Sequence, residues 1–150
     1  MKKIIIILVS FAGMLACQLC CPLLAMEWTT DLPAARTQAG KEKKLVLVNF
    51  TGSDWCGWCK RLDKEVFSTK EFGDFAKDNL ALVEIDFPSR KAQNDSLKKA
   101  NDALKNQYRV QGFPTIVVLN GEGKELWRQV GYLEGGSKVW LGKIRALKKE

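Results

Sequence analysis

Histidine is absent from the 150 residues, and cysteine is scarce. Without histidine the chain cannot form a Ser-His-Asp triad or a Cys-His nucleophile. Three of the five cysteines, Cys17, Cys20 and Cys21, lie in an N-terminal apolar segment, which leaves Cys56 and Cys59 for the folded domain. Two thiols without histidine do not complete the usual four-ligand zinc sets. We therefore expect neither a metal site nor a bound cofactor.

Cys56 and Cys59 are the most informative residues that are present. They follow the apolar run at residues 45–50, an order that predicts a strand, a tight polar turn and then the start of a helix. A helix N-terminus favours negative charge, and thiolate is the reactive form of cysteine. A structural disulfide is the alternative, but so short a ring constrains little unfolded-chain entropy. The spacing therefore predicts thiol–disulfide exchange, with Cys56 as the attacking thiolate and Cys59 as the resolving thiol.

The first 25 residues have the composition of a secretory signal peptide. Lys2 and Lys3 precede an apolar run at residues 4–16, and the segment ends on the small side chain of Ala25. Cleavage after Ala25 would leave residues 26–150 as one domain. An uncleaved anchor is an alternative, because this segment has about the length that spans a bilayer. Lipidation of one of its cysteines, Cys17, is a third arrangement.

All three arrangements place residues 26–150 outside the cytoplasmic membrane, with the positive N-terminus inside. We expect a periplasmic protein, either released or tethered by its N-terminus. Disulfides form and persist in that compartment, so a lone pair of cysteines there is expected to act on the disulfides of other proteins. The net charge of +7 is dispersed without an aromatic-interleaved basic stripe, and no nucleic-acid partner is expected.

The remaining pattern predicts one α/β domain with alternating elements. Predicted helices cover residues 31–38, 56–67, 71–78, 95–108 and 137–147, and predicted strands cover residues 45–50, 80–86, 115–119 and 125–130. Strands joined through helices pair in parallel, whereas the closing hairpin adds an antiparallel edge. The cysteines then lie beyond the carboxyl ends of the strands, where open α/β sheets bind ligands.

Capping residues and helical spacing give the expected ends and inner faces of three helices. Ser68 begins a capping box, residue 95 or 96 caps the fourth helix, and Ser137 caps the last. Ala100 is expected on the inner face of the fourth helix, and Val139 on the inner face of the last.

Two motifs together resemble those of the thioredoxin superfamily, namely Trp55-Cys-Gly-Trp-Cys59 and Val110-Gln-Gly-Phe-Pro-Thr115. Further runs at residues 51–55, 83–88 and 107–108 are similar to those of exported Dsb-type reductases related to DsbH. The chain is similar, more distantly, to the C-terminal domain of DsbD. The resemblance implies a thioredoxin fold, in which a central mixed sheet is flanked by helices and the cysteine motif starts the helix after the first core strand.

The resemblance also implies roles around the cysteines. Pro114 is expected to be a cis-proline facing them, which would hold the backbone of Phe113 where it can pair with an extended substrate. Gly57 and Trp58 replace the Gly-Pro that thioredoxins usually carry between the cysteines. We expect Trp58 to form an apolar docking lip, and Trp55 to pack as scaffold.

A second departure concerns proton transfer. Thioredoxins carry a buried acid in the first core strand, and the matching residue here is Asn49, which cannot take a proton. Asp63, four residues after Cys59 on the same helix face, is the expected substitute. The alternative for Asp63 is an exposed carboxylate on the helix surface.

We therefore expect an exported thiol:disulfide oxidoreductase that reduces protein disulfides through Cys56 and Cys59. No histidine between the cysteines stabilises the Cys56 thiolate, which argues against a strong oxidant. A disulfide isomerase or oxidase using the same pair and a redox-gated binding module are the alternatives. The expected partners are disulfide-containing exported proteins and a membrane or soluble dithiol donor, and the protein is expected to be a monomer.

Overall fold

A computed structural model describes residues 26–148; the predicted signal peptide or anchor, residues 1–25, lies outside the described residues. The strands are β1 (Trp28–Thr29), β2 (Leu45–Thr51), β3 (Leu80–Asp86), β4 (Thr115–Leu119) and β5 (Glu125–Val130). The helices are α1 (Leu32–Glu42), α2 (Gly57–Leu62), α3 (Lys70–Asn79), α4 (Asp95–Gln107) and α5 (Gly136–Leu147). A π-helical turn, Asp63–Phe67, continues α2.

The five strands form one mixed sheet in the order β1-β3-β2-β4-β5. Strand β3 is parallel to both β1 and β2, whereas β4 is antiparallel to β2 and to β5. The predicted parallel pairing and antiparallel edge are confirmed. Strand β1 was not predicted, because two residues are too few to show a periodicity.

The sheet separates two apolar cores, and every residue of β2 is buried because both faces of this central strand are covered. One core lies between the sheet and helices α2, α3 and α5, around Leu47, Leu62 and Trp140. The other lies on the opposite face, around Val48, Phe50 and Ile85. The helix that follows the cysteines is therefore seated directly on the central strands.

The predicted helix at residues 56–67 is one continuous segment but changes its winding. From Asp63 it widens to a π-helical turn, and the backbone N–H of Ser68 donates to the Asp63 carbonyl at 2.7 Å. This widening allows two consecutive side chains, Val66 and Phe67, to be buried in the same core.

The predicted caps of three helices are each displaced by one or two residues. Thr69, not Ser68, caps α3 by accepting from Phe72 N–H at 3.3 Å. Asn94 precedes both predicted candidates and caps α4. Gly135 occupies the N-cap of α5 in a left-handed conformation, whereas the hydroxyl of Ser137 donates to Glu71 at 2.6 Å.

The inner faces of α4 and α5 also differ from the prediction. Ala100 is exposed and Asn101 is buried instead, because the Asn101 amide donates to the carbonyl of Asp86 at 2.9 Å. In α5 the predicted inner residue Val139 is exposed, and Leu141 is buried. In α4, the bond from Asn101 to β3 accounts for the difference.

The turn between β4 and β5 makes a close backbone contact that generates a stability prediction. A Cβ on Gly121 would lie 2.6 Å from the Gly40 Cα of α1. Gly121→Ala should therefore lower the free energy of unfolding by about 1–3 kcal/mol, through overpacking. Urea denaturation of the oxidised protein measures this change.

The matched control is Gly142→Ala within α5, where a Cβ would meet nothing within 4 Å. This variant should raise the free energy of unfolding by about 0.5–1 kcal/mol, because glycine is a poor helix former. Gly121→Ala protein as stable as wild type would show that the turn can move away from α1 without cost.

Candidate active site

A short turn carries the chain from the end of β2 to the first cysteine. The backbone N–H groups of Trp55 and Cys56 both donate to the carbonyl of Gly52, at 3.2 and 2.8 Å. The Asp86 carboxylate at the end of β3 accepts from the backbone N–H and the hydroxyl of Ser53, at 2.9 and 2.6 Å. Because β2 and β3 pair in register, the sheet determines where this turn begins.

The cysteines form a disulfide at the start of α2. The Cα atoms of Cys56 and Cys59 are 5.3 Å apart, and their residues are only 6% and 5% exposed. Cys56 is the N-cap residue, and its sulfur accepts from the backbone N–H of Cys59 at 3.2 Å. In the disulfide form Cys56 is therefore buried. The N–H directed at the sulfur would favour negative charge there, so the geometry suits a thiolate on Cys56.

Pro114 lies at the end of the sheet from which the cysteine turn begins. Strand β4 pairs Thr115 with Phe50 of β2, so the residues before β4 lie where β2 leads into the turn. The Phe113–Pro114 peptide bond is cis, as the resemblance implied. The Phe113 ring is 5.9 Å from the ring of Trp55, the residue that precedes the first cysteine. The structure thus brings Phe113 and Pro114 close to the disulfide.

Trp58, between the cysteines, is 56% exposed and is held on one side by three side chains. Its ring stacks on Tyr132 at 5.6 Å, and the Arg61 guanidinium lies over both rings. Glu65 accepts from Arg61 at 2.9 Å and from the Tyr132 hydroxyl. These bonds hold the pKa of Glu65 below its ordinary value, and the bond from Tyr132 has the largest effect. No sequence pattern singled out this cluster, because Tyr132 reaches Trp58 and Glu65 from a distant part of the chain.

Trp55 is 48% exposed, so the expectation that it packs as buried scaffold is wrong. Its indole N–H donates to the Phe87 carbonyl at 2.8 Å, and its ring covers Gly52, where a Cβ would lie 2.4 Å from it. Phe87 in turn stacks on Phe113 at 5.1 Å. Trp55 and Trp58 therefore form exposed aromatic surfaces next to the disulfide.

Asp54 ties the cysteine turn to the loop after β3. Its carboxylate accepts from the backbone N–H groups of Ser89, Arg90 and Lys91, at 2.9, 2.6 and 3.1 Å. These bonds lower the pKa of Asp54, and the bond from Ser89 has the largest effect. Burial opposes the shift. The ionised carboxylate therefore stabilises the loop that borders the site.

The acidic residues near the cysteines, and the asparagine at the position of the missing acid, lie in different environments. Asn49 is buried on β2, as expected for the position of the missing acid. Asp63 is exposed and accepts from the Ser68 hydroxyl at 3.2 Å. Its position is therefore that of the alternative interpretation, a carboxylate on the helix surface. Its part in the reaction stays a prediction. Glu84, which was not predicted, pairs with Asn49 across the β2–β3 register, and burial raises its pKa.

The described part of the chain lacks two further features. Within residues 26–148, no group of three or more histidine, cysteine or acidic side chains is placed to hold a metal ion. Over the same range, no helix has the length and apolar character needed to cross a membrane.

The thioredoxin-like domain family matches residues 32–139. The disulfide bond reductase DsbH of Chlamydia pneumoniae is 38% identical over 124 residues, which cover 83% of this chain and 74% of that protein. A solved structure of a DsbH oxidoreductase superposes with a TM-score of 0.76 at 35% identity, covering 83% of this chain and 85% of the other. The thiol:disulfide interchange protein DsbD of Actinobacillus pleuropneumoniae is 30% identical over 71% of this chain but only 17% of its own length.

A disulfide at the start of a helix, on a mixed sheet with a cis-proline just before β4, is the arrangement of a thiol:disulfide oxidoreductase. The fold and the matches to DsbH agree with that class. The chain belongs to the thioredoxin-like domain family.

The hydrogen bonds of Asp54 generate a pH-dependent prediction. Because its pKa is lowered in the folded state, Asp54 stabilises the protein above the ordinary carboxyl pKa of about 4. This contribution is lost as the pH falls through the lower folded value. Asp54→Asn should therefore lower Tm at neutral pH, and its difference from wild type should shrink in acid.

Thermal unfolding followed by circular dichroism across the acidic range measures this difference. Asp102→Asn is the control, since Asp102 is exposed on α4 and should show no comparable pH-dependent loss. An Asp54→Asn deficit that stays constant down to the lowest pH would mean that the amide fails for a reason other than charge.

Proposed function

We propose that this protein is an exported reductase of protein disulfides. The observation that carries the proposal is the Cys56–Cys59 disulfide at the N-cap of α2, with an N–H directed at the Cys56 sulfur. The name of the 38% identical relative, a disulfide bond reductase, supports the reducing direction. So does the absence of histidine, because no imidazolium between the cysteines stabilises the thiolate of a strong oxidant.

In the proposed reaction, the Cys56 thiolate attacks one sulfur of a substrate disulfide and forms a mixed disulfide. Cys59 then attacks Cys56, which releases the reduced substrate and leaves the Cys56–Cys59 disulfide. The substrate gains two electrons and the protein pair loses two. A membrane or soluble dithiol donor returns the pair to the reduced state. The signal-peptide composition of residues 1–25 supports a periplasmic location, with disulfide-containing exported proteins as substrates of a monomeric enzyme.

The aromatic surfaces beside the disulfide fit an extended, unfolded substrate. Trp58 offers an exposed apolar face that Tyr132 and Arg61 hold in place. Phe113 and the cis-proline Pro114 offer backbone just before the start of β4, where an extended chain can pair. Such a surface favours a catalyst that docks protein chains over a module in which the pair only gates another binding face.

The first prediction of this proposal concerns the two cysteines. Insulin reduction driven by dithiothreitol should be accelerated by the wild-type protein and not by Cys56→Ser, because the attacking thiolate is lost. Cys59→Ala should retain attack but trap substrates on Cys56, because the resolving thiol is absent. Non-reducing gels of cells that carry Cys59→Ala should therefore show slower-migrating adducts that dithiothreitol removes.

Two results would contradict these assignments. Insulin reduction that survives Cys56→Ser would show that Cys56 is not the nucleophile. A reactive Cys56 that forms no adducts in the Cys59→Ala variant would favour the redox-gated binding module.

The second prediction concerns Trp58 as a docking surface. Trp58→Ala should raise KM for a reducible unfolded protein by about tenfold, which corresponds to about 1.4 kcal/mol of lost contact. Its rate with oxidised glutathione should stay unchanged, because a small disulfide does not reach the ring. Val139→Ala removes another exposed apolar side chain, on α5, and should alter neither rate. Equal losses with both substrates would mean that Trp58 supports the cysteines themselves.

A further inference from the structure

Glu84 is an ionisable side chain on the face of the sheet that carries the apolar core around Leu47. It pairs with Asn49 in the parallel β2–β3 register. Side chains alternate along a strand, so Asn49 shares a face with Leu47, and Glu84 with Leu82. Both leucines belong to the core that contains Leu62 of α2. Glu84 and Asn49 therefore lie side by side on the sheet face that α2 covers, beneath the helix that carries the cysteines.

The charges around Glu84 favour its protonated form. Partial burial raises the pKa of Glu84, and the carboxylates of Asp86 on β3 and Asp63 on the π-helical turn raise it further. Lys91, in the loop after β3, opposes them with the smallest effect of the four. Asp63 follows Cys59 by one helical turn. The Asp63 carboxylate, which raises the pKa of Glu84, therefore lies on the same helical segment as the resolving thiol.

Asn49 provides a second, independent reason for a proton at this place. Its residue is 6% exposed, and its buried Oδ1 has no hydrogen-bond partner among the described residues. An amide oxygen can only accept a hydrogen bond, and a carboxyl group can donate one only when it is protonated. Neighbouring strands are about 4.8 Å apart, within reach of such a bond. A protonated Glu84 could therefore satisfy the buried Oδ1 of Asn49, whereas an ionised Glu84 could not.

We propose that Glu84, with Asn49 beside it, accepts the proton that the Cys59 thiol loses when the mixed disulfide is resolved. The inference rests on the proposed two-cysteine cycle. The Cys59 S–H bond breaks and its proton passes to Glu84, directly or through one water. The thiolate attacks the Cys56 sulfur, the Cys56–substrate bond breaks, and the substrate sulfur leaves with the electron pair. Glu84 later returns the proton to solvent. A strand residue thus supplies the acid–base function that Asn49 cannot.

The test is the rate of the resolving step in Glu84→Gln, which keeps the size and a hydrogen-bond donor for Asn49. The reduced protein is mixed with oxidised glutathione, a probe that reacts whatever the physiological direction, and tryptophan fluorescence follows the two steps by stopped flow. Glu84→Gln should slow resolution about tenfold near neutral pH while leaving initial attack by Cys56 unchanged. This effect is below the usual range for a proton acceptor in direct contact, because solvent can partly replace Glu84.

The pH profile separates this role from a merely structural one. In wild type the resolving rate should rise with pH as Glu84 ionises, and Glu84→Gln should lose that rise. Glu122→Gln, at the exposed β4–β5 turn, is the matched control and should retain it. Loss of the rise in Asp63→Asn but not in Glu84→Gln would overturn the proposal and assign the proton to Asp63. Equal profiles in all variants would also overturn it.

A titration of Glu84 in the unmutated protein makes the test independent of folding in the variants. Carbon NMR of the Glu84 carboxyl should give a higher pKa in the reduced protein than in the oxidised one, because the Cys56 thiolate adds negative charge nearby. The same Glu84 pKa in both states would overturn the coupling. A wild-type protein that does not react with glutathione would overturn the proposed function instead, and this titration would still decide the role of Glu84.

Discussion

The backbone N–H of Cys59 meets the Cys56 sulfur at 3.2 Å, and the rest of the site depends on that contact. It requires Cys56 to be the N-cap of α2, where the helix terminus favours a thiolate. The chain is brought to that position by the hydrogen bonds that the turn donates to the Gly52 carbonyl and by the bond that Ser53 donates to Asp86. These bonds originate at the ends of two buried, in-register strands, so the hydrophobic core determines where the reactive sulfur lies.

The surroundings of the disulfide divide into a surface that faces solvent and a sheet face that does not. On the outside, Trp58 is braced by Tyr132 and Arg61, and Trp55 is anchored to Phe87. These contacts lower the entropy cost of presenting aromatic rings to a partner. On the inside, Glu84 is the carboxylate whose pKa burial raises. In the proposed cycle, substrate contact and proton transfer are therefore assigned to different layers of the same small domain.

Much of this arrangement can be predicted from sequence, because it is encoded in local patterns. Strands β2 to β5 follow from apolar runs and turn residues, and the cysteine spacing indicates the chemistry. Pro114 is identifiable only through the family resemblance, since nothing local distinguishes it from another proline. The caps at Thr69 and Asn94 compete with neighbouring polar residues of equal propensity, so one-residue errors there are expected.

The missed features depend on contacts between distant segments. Tyr132 reaches Trp58 and Glu65 from beyond β5, and no sequence spacing relates them. Asn101 is buried because its amide bonds the Asp86 carbonyl, a partner that helical periodicity does not reveal. Glu84 can be recognised in the sequence. It is an acidic residue two positions after Leu82, so it points to the same face of β3 as that buried leucine. Such a break in alternation is a reason to look for a function.

The equilibrium reduction potential of the Cys56–Cys59 pair tests the central claim, that this domain reduces disulfides. Equilibration with glutathione, read from tryptophan fluorescence or alkylation of the free thiols, gives the value directly. A reductase should have a potential near that of thioredoxin, about −270 mV, at which the dithiol reduces most substrate disulfides. A value near that of DsbA, about −120 mV, would contradict it and make the protein an oxidant.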